Sequence, residues 1–71
     1  MDKKYLVIEL QTASDGTVAN IVTAYDNQNQ AESKYHSVLS AAAVSNVPAH
    51  AAVMIDSMGY YIDAHCYEHG E

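Results

Sequence analysis

The chain has 71 residues, 49% of them hydrophobic, and sets nine carboxylates against three lysines for a formal charge of −6. That length holds one folded core and leaves no room for a second, so residues 1–71 are expected to form a single domain. The acidity disfavours direct binding to phosphate backbones and anionic lipid, and no apolar run nears the roughly 20 residues of a membrane span.

From Lys4 to Ala13, Leu6, Ile8 and Leu10 alternate with Tyr5, Val7, Glu9 and Gln11, the period of a strand with unequal faces. Ser14-Asp15-Gly16-Thr17 follows, and Asp-Gly is a strong signal for a type I′ hairpin turn leading into a second strand over Val18–Tyr25. After the polar break Asp26–Asn29, Asn29 is placed to cap a helix, with Glu32 three residues on as its capping-box partner. Ala31, Tyr35, Val38, Leu39, Ala42 and Ala43 make one apolar helical stripe, and Pro48 predicts that the helix ends near Ser45 or Asn46. Ala49–Ser57 and Tyr60–Glu68 read as two further strands joined by a short turn at Ser57-Met58-Gly59. The predicted fold is α+β, in the order β-β-α-β-β, with a sheet of about four antiparallel strands and the helix on one face.

One helix covers only one face of such a sheet. The more aliphatic positions, Leu6, Ile8 and Leu10 in the first strand, Val53 and Ile55 in the third and Ile62, Ala64 and Cys66 in the fourth, are expected beneath the helix. Alternation then sends Tyr5, Val7, Glu9 and Met54 to the open face, with Tyr61, Asp63, His65, Tyr67 and His69 beside them. Phe and Trp are absent, so six Tyr supply every aromatic ring and the core is thin. A core of this size rarely yields more than about 3–5 kcal/mol, and small domains commonly add a disulfide, a metal or an oligomer interface. Cys66 is the single cysteine, which excludes an internal disulfide and suits a reducing compartment. The run Tyr5–Ile8 is broken by Glu9, too short for the core of a signal peptide, so a cytoplasmic location is expected.

Known chemistry finds little footing. His65 and Cys66 are neighbours on a strand and point apart, while His65 and His69 stand roughly 13 Å from each other at about 3.3 Å per residue; neither pair grips a zinc ion unaided. Cys66 reads as a small core residue rather than a nucleophile. No Gly-x-Ser-x-Gly elbow is present, and Gly16 and Gly59 fall in turns rather than in a phosphate-cradling loop. Glu9, Asp56 and Asp63 read as solvated carboxylates, and Glu32 with His36 as a helix-supporting pair. No catalytic residue, cofactor or metal is assigned.

The stretch Glu32-Ser33-Lys34-Tyr35-His36, the alanine-rich helix end, Val47-Pro48-Ala49-His50-Ala51-Ala52-Val53 and the Gly59–His69 hairpin are similar to short uncharacterised proteins of Firmicutes bacteria and their phages or prophages. That resemblance spans nearly the whole chain and implies a prokaryotic or phage origin and a compact accessory role, with no functional residues carried over. The residues themselves predict a small non-enzymatic interaction protein, associating with itself or with another protein through Tyr5, Val7, Met54, Tyr61, His65 and Tyr67. A homodimer is the expected form, since its interface also answers the thin core. Two alternatives stand beside it. One is a phage-type inhibitor presenting Asp15, Asp26, Asp56, Asp63 and Glu68 to a basic host protein. The other is a metal- or small-ligand-binding domain centred on His50, His65 and His69.

Overall fold

The computed structural model describes residues 3–69 and has the predicted element order: β1 (Tyr5–Thr12), β2 (Val18–Tyr25), α1 (Gln28–Ala43), β3 (Ala49–Asp56) and β4 (Tyr61–Glu68). The strands form one antiparallel sheet in the order β2-β1-β3-β4, with α1 packed against it. The helical crossover therefore carries the chain from an edge strand past β1 to a central one.

Each junction has a local cause. The β1–β2 loop is a type I turn closed by a glycine bulge rather than the predicted two-residue I′ turn. The Gly16 N–H donates to Ala13 O at 3.0 Å, the Ala13 N–H donates to Thr17 O at 2.8 Å, and Gly16 takes φ +89°. The Asp15 carboxylate accepts from the Thr17 hydroxyl and, at 2.9 Å, from its N–H, and these bonds hold its pKa below the ordinary carboxylate value. At the helix start the cap is Asn27, two residues before the predicted Asn29. Its side-chain oxygen accepts from Asn29 N at 2.7 Å and Gln30 N at 3.3 Å. Either Asn has the chemistry, but β2 ends at Tyr25, and the earlier cap lets the helix begin without a longer loop. Replacing Asn27 with Ala is expected to cost about 1 kcal/mol, read as a shift in the urea midpoint, whereas Asn29→Ala leaves the midpoint nearly unchanged.

The helical stripe is as predicted at Ala31, Tyr35, Val38 and Ala42, which are buried, with Leu39 partly so; Ala43 is exposed. What lies beneath it is not. The core joins Ala31, Tyr35 and Val38 to Val7, Ala52 and Met54 of the sheet. Both central strands thus face the helix with the opposite parity to the one predicted: Val7 and Met54 are 1% and 2% exposed, under α1 rather than on the open face. Tyr5 also packs against this core. In β4 a register shift opposite Met54 and Ile55 turns Ile62 onto the core as predicted, while Asp63 pairs with Met54, His65 with Ala52 and Tyr67 with His50 on the helix side. Cys66 is exposed on the other side, so it is not a core residue.

Candidate interaction surface

The parity of β1 and β3 decides what the helix leaves uncovered. β3 alternates strictly, with His50, Ala52, Met54 and Asp56 buried and Ala49, Ala51, Val53 and Ile55 half-buried. The half-buried set lies on the open face together with Leu6, Ile8 and Leu10 of β1, and cross-strand pairing adds Val18, Asn20, Val22 and Ala24 from β2 and Ala64, Cys66 and Glu68 from β4. Glu68, opposite Ala49 at the end of β4, is the one charged side chain among them. Val18 and Val22 are each 55% exposed. Leu, Ile and Val crowd the β1–β2 half, whereas Ala51, Ala64 and Cys66 leave a shallow depression of about 300 Å³ on the β3–β4 half.

The six residues predicted as an interface are therefore divided. Val7 and Met54 are core, Tyr5 is half-buried against it, Tyr61 is 67% exposed at the register shift, and His65 and Tyr67 lie on the helix side of β4. His65 and Tyr67 rings pack at 4.5 Å between centroids, and Tyr67 stacks parallel to His69 at 6.5 Å. Face parity is the physical reason for the split: one residue of offset exchanges every side chain between the two faces.

Polar residues on the helix side are satisfied. His50, 4% exposed, bridges β1 to the loop after α1: its Nε2 lies 2.7 Å from Glu9 Oε2 and its Nδ1 3.0 Å from Ser45 Oγ. Because a carboxylate only accepts, Nε2 carries a proton. Gln11 Nε2 also donates to Glu9, at 3.0 Å. The His50 hydrogen bond, foremost, and Gln11 lower the Glu9 pKa against the opposing effect of burial. Glu9 is thus no solvated carboxylate. The order serine–histidine–carboxylate resembles a hydrolytic relay, but the Ser45 oxygen already accepts from Val47 N–H at 3.3 Å, and the His50 side chain is 5% exposed. The contact ties the helix end to the sheet. Sequence inspection missed it because 41 positions separate Glu9 from His50 and neither belongs to a motif.

The remaining acidic and histidine candidates do not assemble. Asp56, 6% exposed, closes the β3–β4 turn by accepting from Met58 N at 2.9 Å and Tyr60 N at 3.0 Å, and its pKa is lowered by these backbone bonds, Tyr60 first, and by Lys3. Asp26 is paired with Lys4, and Asp15 with Thr17. His69 Nε2 contacts Ala42 O at 2.8 Å, so His50, His65 and His69 serve separate neighbours. Among the described residues, no three His, Cys, Asp or Glu side chains converge where a metal ion could sit, and no helix is long and apolar enough to cross a membrane. Comparison with protein-family models, curated proteins and solved structures returns no match.

Proposed function

We propose that this chain is a non-enzymatic interaction protein that self-associates by stacking its open sheet face on that of a second copy. The observation that carries the reading is the aliphatic face itself, running across all four strands with one carboxylate, Glu68 at its corner, in a chain whose formal charge is −6. A basic partner would find a single carboxylate, Glu68 at the corner of that face, to pair with, whereas a second copy brings a surface of the same chemistry.

Shape and size support the same occupant. A two-fold axis relating the copies sets Leu6, Ile8 and Val22 of one over the depression at Ala51, Ala64 and Cys66 of the other, beside Val53. Four strands of eight residues present about 500 Å² in projection at the usual strand spacing and rise. Two such faces give about 1,000 Å² before side-chain relief is counted, the threshold a biological interface has to clear. Sheets stack in this way at a separation of about 10 Å.

Sedimentation at micromolar concentration is expected to give a mass above the 7.7 kDa of one chain. Ile8→Lys places an unpaired ammonium in the stacked face of each copy and is expected to weaken association by about 100-fold or more. Cys66 provides an independent reading without mutation, since its exposed thiol lies in the slim half of the face. Alkylation of Cys66 is expected to slow as protein concentration rises. A monomer at all concentrations, with Cys66 equally reactive throughout, rejects the proposal.

A further inference from the structure

The sheet's two edges are built differently. β4 carries Asp63, His65 and Glu68, and its pairing with β3 shifts register between Met54 and Ile55; charge and irregularity both blunt an edge against strand addition. β2 has neither. It is eight residues long, contains no charge, proline or glycine, and pairs with β1 in unbroken register. It is also apolar on both sides: Val18 and Val22 on the open face and Ile21 on the helix side are each 55% exposed. Stacking of open faces covers the two valines and leaves Ile21 in water.

Backbone parity shows which groups β2 has left to offer. Ala13 N–H donates to Thr17 O across the hairpin, and on the far side of β1 the Ser57 N–H donates to Lys4 O at 2.9 Å. Antiparallel ladder bonds alternate along a strand, so Ala19, Ile21, Thr23 and Tyr25 direct their backbone groups to β1. Val18, Asn20, Val22 and Ala24 direct theirs outward.

We infer that β2 is a second self-association site, pairing antiparallel with β2 of another copy about a two-fold axis through Ile21 and joining two sheets into one. In this register Val18 meets Ala24 of the second copy and Asn20 meets Val22, each twice, so that all the outward groups are used in about eight hydrogen bonds. Moving the axis to Asn20 or Val22 leaves the groups of Ala24 or Val18, respectively, without a strand residue opposite. A second copy is the occupant because the strand matches itself, with an uncharged side chain opposite every uncharged side chain. The flanking Asp15 and Asp26 are already held by Thr17 and Lys4. The site shares Val18 and Val22 with the face proposed above but is centred on Ile21, which that face does not contain.

The test is site-directed cross-linking of the full chain with Cys66→Ala. Ile21 meets itself as a non-hydrogen-bonded pair, about 4.5 Å between Cα atoms, which is within disulfide reach. Ala19 and Thr23 are each about 13 Å from their own counterparts and are not. Mild oxidation is expected to cross-link Ile21→Cys at least tenfold faster than Ala19→Cys or Thr23→Cys. Ile21→Lys, which sets two ammonium groups together on the axis, is expected to halve the mass of the assembly in sedimentation. Equal cross-linking at the three positions, or a mass unchanged by Ile21→Lys, overturns the inference. Because Ile8→Lys disrupts the stacked faces only, cross-linking at Ile21 is expected to survive it; loss of the cross-link in that background overturns β2 as a separate contact.

Discussion

Tyr35→Ala is expected to leave the chain unfolded at low concentration. Tyr35 is 2% exposed and is the largest side chain in the core, meeting Val7, Ala52 and Met54 beneath the helix. Truncating a buried aromatic costs about 3–5 kcal/mol through lost burial and the cavity left behind, which is about all that a single core of this size supplies. Tyr35→Phe separates packing from the hydroxyl. Burial first, and the Asp63 carboxylate next, raise the pKa of that hydroxyl, so it remains neutral through physiological pH. Its removal is expected to cost about 1 kcal/mol, read by urea denaturation. The association proposed above would bind the folded state alone, so on that proposal both variants are also expected to gain stability as protein concentration rises. A concentration-independent midpoint for Tyr35→Phe would separate the stability of the fold from any assembly.

The elements were legible because each is written locally: period-two alternation in the strands, Asp15-Gly16 at one turn, a 3.6-residue stripe on the helix and Pro48 after it. The faces were not. Leu6, Ile8 and Leu10 outrank Tyr5, Val7 and Glu9 in hydrophobicity, and the rule that sends the more apolar side inward assumes that the helix is the one cover available. Here the side under the helix was chosen by fit and by polar satisfaction. Ala52 makes room for Tyr35, and Glu9 and His50 find each other on adjacent strands. Carboxylates and imidazoles read singly suggest water; read as a pair they belong inside. Once β1 and β3 take that parity, the aliphatic Leu6, Ile8, Val53 and Ile55, rather than the tyrosines, are left on the face the helix does not cover. An uncovered sheet face was foreseeable from the count of helices against sheet faces, since a single helix cannot cover both. Its residues required the register.

The Glu9–His50 pair gives the fold an acid-sensitive fastening. Glu9 has its pKa lowered in the folded chain from an ordinary value of 4.5, chiefly by the His50 hydrogen bond. A carboxyl whose folded pKa is depressed contributes stability above its unfolded pKa and loses it as pH falls through the folded one. The wild-type chain is therefore expected to hold its urea midpoint from neutrality down to about pH 4.5 and to lose part of it below that pH. His50→Leu keeps an apolar side chain in the site but leaves the Glu9 carboxylate half-buried without its main partner, a change expected to cost about 1–3 kcal/mol at pH 7. That cost is expected to shrink below pH 4.5, where Glu9 takes up a proton and no longer needs the imidazole. Glu9→Gln tests the sign independently: it cannot ionise, so its midpoint is expected to change less between pH 5 and pH 3 than that of the wild type. If His50→Leu costs the same at pH 3 as at pH 7, the bridge from β1 to the loop after α1 owes its strength to packing alone, and the acid sensitivity of the fold arises elsewhere.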